Sequence, residues 1–278
     1  MNSPNRLQLT FWGVRGSIPT PVPENLGYGG NTTCLELRLP NDEVVVIDGG
    51  TGVRQLGLAL QKRTNRNANG IHFLMTHFHW DHIQGIPFFA PLYSPANRVV
   101  FHSSRPAAEV LDILEGQMTF PYFPVKFELL SAKREFVQLA KEEPLCYGDL
   151  TVRSFPLNHP QGATGFRLES SGAVIVHACD HEHGDAQLDR VLRENAEGAD
   201  VMIYDAQFTP EEYGVKKGWG HSTWLEGARV ARDAGVKQLI LSHHDPSHTD
   251  DDLRAMLAEA QKEFPNTELA RESWTIHL

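Results

Sequence analysis

The sequence lacks the features that would divide it, export it or anchor it in a membrane. Its 278 residues contain no low-complexity tract, no run of like charges and no serine- or proline-rich linker, and this length suits one α/β domain with a substantial core. No charged leader precedes an apolar stretch, and no segment approaches the roughly 18 apolar residues of a bilayer-spanning helix. We expect one domain over residues 1–278, no membrane partner and a cytoplasmic location.

Cysteine and basic residues are both scarce. The three cysteines, Cys34, Cys146 and Cys179, lie far apart without C-x-x-C spacing, which favours reduced, mostly buried thiols over a disulfide framework. Lysine and arginine number 25 against 35 aspartates and glutamates, so the net charge is −10 with histidine neutral. Because the basic residues are scattered, a polyanion would be repelled, and we expect a small anionic ligand rather than a nucleic-acid polymer.

Short β-branched runs alternate with helical patterns along the whole chain. Apolar segments predict strands, and apolar side chains at helical spacing predict helices between them. Strand-rich and helix-containing segments occur in both halves, which predicts an α/β fold with two sheets packed together and helices outside. The predicted strands include residues 7–13, 33–40, 43–50, 70–77, 98–103, 150–157, 164–180 as a hairpin, 200–206 and 237–245; the predicted helices include 53–63, 106–118, 186–195, 224–235 and 251–264.

Histidine is abundant, with 14 residues, and is densest in H-F-H-W-D-H at residues 77–82. A loop that leaves a strand can bring imidazoles and a carboxylate together at such short spacing. His77 and His79 can point to one side and Asp81 with His82 to another, so one loop could serve two metals. No cysteine lies near, and histidine with carboxylate ligands suits a catalytic ion with an open position. A solvated histidine-rich turn is the alternative.

The segment T-H-F-H-W-D-H, residues 76–82, resembles the T-H-x-H-x-D-H signature of the metallo-β-lactamase superfamily. That superfamily has a four-layer αββα sandwich with a dinuclear metal site along one edge of its two sheets. Its later ligands have matches here in the same order: His159 in L-N-H-P, Asp180 in H-A-C-D and His243 in I-L-S-H-H. The resemblance covers roughly residues 11–244.

The resemblance implies two divalent metal ions per chain, zinc or manganese, with iron as a further option because such ligands accept all three. It assigns one metal to His77, His79, His159 and Asp180, and the other to Asp81, His82, Asp180 and His243, with Asp180 bridging. Two alternatives remain open. Asp205 competes for the bridging role. His244 competes with His243, because strand alternation points neighbours to opposite sides, although the L-x-L-S-H pattern favours His243.

Two further segments resemble the tRNase Z and phosphodiesterase branch of this superfamily. G-W-G-H-S-T-W, residues 218–224, is similar to the H-S-T motif of that branch, and Asp205 stands where its preceding H-E-A-T segment has glutamate. The resemblance implies that His221 assists the leaving oxygen while Asp205 orients its ring, and that Asp81 orients the nucleophile or accepts its proton. Alternatively, His221 and Thr223 only cap the following helix, where Thr223 and Glu226 offer a capping box.

Near the N-terminus, F-W-G-V-R-G-S-I-P-T-P and Y-G-G-N-T-T-C-L-E-L resemble the glycine-rich opening loop of a bacterial cyclic-phosphate or cyclic-nucleotide phosphodiesterase-like group. In D-G-G-T-G, Asp48 is similar to the strand-end aspartate that supports the metal loop in this family. Contacts between the substrate and Arg15, Asn31 or the aromatic segment Phe120–Phe123 stay open, as does a homodimer.

We therefore expect a dinuclear metal-dependent phosphodiesterase that hydrolyses a small phosphodiester, a cyclic nucleotide or a cyclic ribose phosphate, by a metal-bridging hydroxide. The first alternative is a tRNA 3′-processing endonuclease, but the long, basic, glycine-rich arm expected of that branch is missing from this sequence. The second is a non-catalytic sensor or partner-binding protein with a degenerate site. A lactamase or thioesterase would leave the G-H-S-T segment without a role.

Overall fold

The chain forms two mixed β-sheets, each accompanied by its own helices. A computed structural model describes residues 6–63, 70–140 and 143–278. Its contacts divide these residues into two compact units. The first unit includes residues 31–63 and 70–140 together with both ends of the described chain, and the second includes residues 14–30 and 143–272. The expectation of a single domain stays a prediction.

The first unit is built on a seven-stranded sheet. Numbered along the chain, its strands are β1 (Gln8–Gly13), β2 (Cys34–Arg38), β3 (Val44–Ile47), β4 (Ile71–Leu74), β5 (Arg98–Ser103), β6 (Lys133–Gln138) and β14 (Thr275–His277), and its helices are α1 (Val53–Lys62), α2 (Trp80–Ile83) and α3 (Ala107–Gln117). The strand order is β14-β1-β2-β3-β4-β5-β6. Strands β3 to β6 run parallel, and β14, β1 and β2 extend the sheet in antiparallel pairs.

The second unit is built on another seven-stranded sheet, with the order β13-β12-β11-β10-β9-β8-β7. Its strands are β7 (Leu145–Tyr147), β8 (Leu150–Leu157), β9 (Ala163–Ser170), β10 (Ala173–Ala178), β11 (Val201–Asp205), β12 (Gln238–Ser242) and β13 (Thr267–Leu269), and its helices are α4 (Ala186–Ala196), α5 (Pro210–Lys216), α6 (Trp224–Asp233) and α7 (Asp250–Glu263). Strands β10 to β13 run parallel, whereas β7 to β10 pair antiparallel.

The central parallel strands are formed by continuous apolar runs. Every residue of β3 and β4 is buried, as expected for strands covered on both faces. Phe101 of β5 stacks between Phe73 and Phe136, with ring centroids 5.1 and 5.5 Å apart. Helix α1 adds Leu56 and Leu60 to the same core. This packing holds the parallel strands in place, so the loops at their carboxyl ends begin at well-defined positions.

The candidate residues from Asp48 onwards lie at or after strand ends, in loops or, for Asp81 and His82, in the short helix α2. In the first unit Asp48 follows β3 and the segment 77–82 follows β4; in the second, Asp180 follows β10 and His243 follows β12, while Asp205 ends β11. Carboxyl ends of neighbouring parallel strands meet at one edge of a sheet, which is where open α/β sheets place their ligands. Within each unit the sheet thus gathers side chains that are distant in sequence.

The structure confirms the predicted α/β class and the main elements, and it adds several that the sequence patterns did not predict. Strand β6 is charged and half exposed, so it lacks the alternation of apolar and polar residues that predicts a strand. Strands β13 and β14 have three residues each and are too short to show a pattern. Thr223 accepts a hydrogen bond from the Glu226 amide but the reciprocal contact of a capping box is missing among the described contacts. No helix in the described residues is long and apolar enough to cross a bilayer.

Candidate active site

The first cluster of candidate ligands lies in the turn after β4, which leads directly into α2 at Trp80. The ring of His77 lies 4.4 Å from that of His79 and 4.2 Å from that of His82, measured between centroids. Asp81 Oδ2 lies 3.4 Å from His82 Nε2. His77, Asp81 and His82 are buried. The short helix after the strand therefore gathers all four predicted side chains in one place.

Asp48 connects the end of β3 to this turn. Its Oδ1 accepts the backbone N–H of Thr76 at 2.9 Å, and its Oδ2 accepts the Thr76 hydroxyl at 2.7 Å and His82 Nδ1 at 2.7 Å. The Thr76 hydroxyl in turn lies 3.0 Å from His77 Nδ1. Because Nδ1 of His82 donates to a carboxylate, the neutral ring carries its lone pair on Nε2, which is the tautomer of an Nε2 metal ligand. This geometry fits the predicted supporting role of Asp48.

The carboxylate charge of Asp48 gives a first prediction. Asp48→Asn should weaken zinc binding roughly 10- to 100-fold, the usual effect of removing a group that orients a metal-bound histidine. Asparagine tolerates the left-handed backbone of this residue, φ 60°, so the change is mainly electrostatic. A competition titration with a chromophoric chelator measures the affinity.

Asp42→Asn is the matched control, because Asp42 also has a positive φ of 67° but a side chain 43% exposed beside Arg38. Zinc affinity that is unchanged in Asp48→Asn, or reduced equally in both variants, would contradict the role of Asp48.

The second cluster surrounds Asp180 in the other unit. Asp180, Asp205, His221 and His243 each offer a ligand atom, and these atoms lie within 4.8 Å of one another. One oxygen of Asp180 lies 3.6 Å from His159 Nε2, and the other lies 3.3 Å from His243 Nε2. A carboxylate with a histidine at each oxygen has the arrangement expected of the bridging ligand that the resemblance implies.

Asp205 accepts four hydrogen bonds and is fully buried. Its Oδ2 accepts the backbone N–H of Asp180 and Nδ1 of His221, both at 2.9 Å. Its Oδ1 accepts the backbone N–H groups of Gln207 at 3.1 Å and Ser222 at 3.3 Å. Burial alone would raise the pKa of Asp205, but the neighbouring imidazoles of His221 and His243 lower it overall. With its oxygens engaged by four donors, Asp205 orients its neighbours, which favours Asp180 as the bridging ligand.

The structure places His243, not His244, beside Asp180. His243 Nδ1 lies 3.0 Å from the side-chain oxygen of Gln207, which orients the ring so that Nε2 faces Asp180. His244 instead directs Nε2 to the carbonyl of Ala270 at 2.9 Å. Burial lowers the pKa of His244 to about 3, so it is a neutral core residue. Asp180 and His243 both have left-handed backbones, φ 63° and 59°, a strain often found at functional sites.

Glu182 is a candidate residue that the sequence patterns did not reveal. Its Oε1 accepts the Gly218 N–H at 2.7 Å and the Tyr213 hydroxyl at 2.9 Å, and its Oε2 accepts the Gly220 N–H at 2.8 Å. The Gly220 carbonyl accepts Nδ1 of His159 at 2.7 Å. Burial alone would raise the pKa of Glu182, but these hydrogen bonds lower it overall. Glu182 therefore fixes the loop that orients His159 and leads to His221.

Removing this carboxylate should free the loop. In Glu182→Ala the amides of Gly218 and Gly220 should exchange hydrogen at least 10-fold faster, since a hydrogen bond to a charged group contributes about 1.5–3 kcal/mol. Hydrogen exchange followed by NMR or mass spectrometry measures the protection. Glu211→Ala, a change at an exposed glutamate of α5, is the control. Equal protection of these amides in wild type and Glu182→Ala would contradict the role of Glu182.

Arg15 near the N-terminus is buried, whereas most of the aromatic segment is exposed to solvent. Arg15 is fully buried and donates to the backbone carbonyls of Gly29, Asp245 and His248, so it stabilises loops within the second unit. Phe120 and Tyr122 are 90% and 77% exposed, while Phe123 packs against the core. Asn31 is half-buried, and its contact with substrate stays open.

With this geometry established, comparison with known proteins identifies the family. Residues 43–244 match the family model described as "Beta-lactamase superfamily domain". The chain belongs to this superfamily. It is similar to a protein named ribonuclease Z from Synechococcus sp. (strain CC9311), with 26% identity over 327 residues that cover 96% of this chain and 97% of that protein.

Solved structures share the fold of this superfamily member. The metallo-β-lactamase fold protein YhfI from Bacillus subtilis has a TM-score of 0.75 at 19% identity, covering 99% of this chain and 100% of that one. A diphosphatase from the PhnP family has a TM-score of 0.70 at 18% identity, covering 98% of each chain. The predicted superfamily and its α/β metallo-β-lactamase fold are confirmed, and the chain is a hydrolase of this superfamily.

Proposed function

We propose that this chain is a metal-dependent phosphodiesterase that hydrolyses a small phosphodiester, either a cyclic nucleotide or a cyclic ribose phosphate. The observation that supports it most is the pair formed by His221 and Asp205, whose Nδ1 and Oδ2 lie 2.9 Å apart. His221 Nδ1 also lies 3.8 Å from Asp180 Oδ1, so a carboxylate-held imidazole stands next to a candidate metal ligand. Cleavage of a phosphodiester releases an alkoxide, and such an imidazole can protonate it.

The proposed cofactors are two divalent cations, zinc or manganese, with iron as a third option. The donor set fits, because both clusters consist of imidazoles and carboxylates, as in catalytic rather than structural sites. The rings of His82, His159 and His243 are each oriented by a hydrogen-bond partner of Nδ1, the arrangement typical of metal-bound histidine. When bound, the cations would neutralise phosphate oxygens and lower the pKa of a bound water.

We propose the ligand assignment that the family resemblance implies. One cation is assigned to His77, His79, His159 and Asp180, and the other to Asp81, His82, Asp180 and His243. Asp48 and Asp205 are assigned supporting roles, because both oxygens of each carboxylate accept hydrogen bonds from the loops that carry the proposed ligands.

The protein side chains then have three roles in the reaction. Asp81 orients the attacking water or accepts its proton. Asp205 holds the proton on Nδ1 of His221, so the ring transfers a proton from Nε2 to the departing oxygen. A bond forms between the water oxygen and phosphorus, the bond from phosphorus to the leaving oxygen breaks, and the product is a phosphomonoester.

The similarity to ribonuclease Z favours a second candidate, a tRNA 3′-processing endonuclease. Two observations count against it. The net charge of −10 opposes binding of a polyanion. The alignment with the Synechococcus relative is 327 residues long, whereas this chain has 278, so at least 49 residues of the relative have no counterpart here.

We also propose a cytoplasmic location. Cys34, Cys146 and Cys179 are all free thiols. Cys146 is exposed, and an exposed thiol persists most readily in a reducing compartment.

A substrate panel on metal-loaded protein tests the proposal. It comprises 2′,3′- and 3′,5′-cyclic nucleotides, bis-p-nitrophenyl phosphate, precursor tRNA, nitrocefin and a glutathione thioester. We expect turnover of the small phosphodiesters alone. Cleavage of precursor tRNA without the small compounds would favour the endonuclease. No turnover, together with less than half a metal ion per chain, would favour the non-catalytic alternative.

His221→Ala separates catalysis from metal binding. The variant should keep the wild-type metal content but lose roughly 10²- to 10⁴-fold in kcat, the usual contribution of a general acid. Metal analysis and steady-state kinetics on the cyclic nucleotides of the panel, whose leaving group is an alkoxide, measure both quantities. His277→Ala, at the exposed end of β14, is the control, and a His221 variant as active as wild type would exclude the assigned role.

A further inference from the structure

We propose that Trp219 is a stacking platform for the base of a nucleoside phosphodiester. The inference rests on the proposed function, because it specifies which small phosphodiester the site binds. It would favour a cyclic nucleotide over a cyclic ribose phosphate without a base. The supporting feature is an exposed indole on a backbone whose amides are hydrogen-bonded, two residues before His221.

Trp219 is exposed although the backbone around it is hydrogen-bonded. Single exposed apolar side chains are common on protein surfaces and need no explanation. Trp219, however, is 62% exposed on a segment in which three consecutive backbone N–H groups donate hydrogen bonds. Its own N–H donates to the Lys216 carbonyl at 3.2 Å, and the N–H groups of Gly218 and Gly220 donate to Glu182 at 2.7 and 2.8 Å. A large apolar surface is therefore presented to solvent on an ordered backbone.

The chain connectivity places the backbone of Trp219 close to the candidate site. Gly220 follows Trp219, and its carbonyl accepts Nδ1 of His159 at 2.7 Å. A Cβ at Gly220 would lie 2.4 Å from that nitrogen, so only glycine permits this approach. Consecutive Cα atoms lie 3.8 Å apart, which limits the distance between the Cα atoms of Trp219 and His221 to about 7.6 Å. A base is separated from its phosphate by one sugar, a separation that suits a side chain at this position.

The charge of the protein adds a reason for an aromatic contact. At a net charge of −10, long-range electrostatics oppose the approach of any phosphate. Lys216 lies within the same stretch, but its Nζ is 3.1 Å from Asp245 and 4.4 Å from the centre of the Phe208 ring. Stacking of a base on an indole needs no net charge and contributes to binding whichever base is present. Stacking on Trp219 would therefore contribute binding affinity for a nucleotide that the net charge of the protein does not provide.

The test compares two substrates that differ in the base alone: 2′,3′-cyclic AMP and methyl β-ribofuranoside 2,3-cyclic phosphate. In Trp219→Ala we expect the ratio of kcat/KM for the nucleotide over the base-free compound to fall roughly 10- to 100-fold, mainly through KM. Trp219→Phe should retain most of the ratio. Calorimetric binding of the product, adenosine monophosphate, should weaken by a similar factor in Trp219→Ala, which gives a measure independent of turnover.

Two variants serve as comparisons. Val215→Ala removes an apolar side chain that is 85% exposed on α5 and should leave the ratio unchanged. Phe120→Ala tests the aromatic segment of the first unit, and a fall of the ratio there but not in Trp219→Ala would overturn the proposal.

The remaining outcomes separate this inference from the proposed function. Wild-type protein that cleaves both compounds, with an unchanged ratio and unchanged nucleotide binding in Trp219→Ala, would overturn the platform alone. Wild-type protein that cleaves the base-free compound but not the nucleotide would also overturn the platform alone. Wild-type protein that cleaves neither these compounds nor 3′,5′-cyclic nucleotides would contradict the proposed function and, with it, the platform. If only 3′,5′-cyclic nucleotides are cleaved, unchanged binding of adenosine monophosphate in Trp219→Ala would overturn the platform alone.

Discussion

The buried carboxylate of Asp205 is the constraint on which the second cluster depends. A charge removed from water is costly unless hydrogen bonds replace its hydration, and the four donors around Asp205 do so. Those donors belong to the segments that carry the other candidate residues. Asp205 therefore positions both the backbone of Asp180 and the ring of His221. It also accepts the Gln207 N–H, and the side chain of Gln207 lies 3.0 Å from His243 Nδ1, so Asp205 influences His243 indirectly.

The first cluster is built on the same principle. Asp48 follows β3 and accepts the Thr76 N–H beyond the end of the neighbouring strand β4, just as Asp205 at the end of β11 accepts the Asp180 N–H beyond the end of the neighbouring strand β10. In both units an acid on one parallel strand fixes the loop that leaves the next. This arrangement explains how residues with strained, positive-φ backbones keep one conformation, since each is determined by its surroundings.

Much of this could be predicted from local patterns, and what could not has identifiable causes. The apolar runs of β3, β4, β11 and β12 predicted strands, and the residues at their ends predicted where side chains would gather. Glu182 gave no such signal, because its partners Gly218 and Gly220 lie 36 and 38 residues further along the chain and meet it only after folding. Helix α5 did carry a signal, since Thr209 and Glu212 form a complete capping box with Pro210 as the first helical residue. The L-x-L-S-H pattern already favoured His243 over His244, but the contact of His244 with the Ala270 carbonyl is contained in no sequence pattern.

The central claim is that Asp205 organises metal binding and proton donation together. The most direct test measures metal content and single-turnover rate in Asp205→Asn, beside Asp200→Asn as the control. Asp200 immediately precedes the same strand, and it accepts the Val174 N–H at 2.7 Å and Lys237 Nζ at 2.6 Å rather than a candidate residue. The account predicts that Asp205→Asn loses at least one of two metal ions per chain and at least 100-fold in rate, while Asp200→Asn keeps both. Full metal content and a wild-type rate in Asp205→Asn would contradict it.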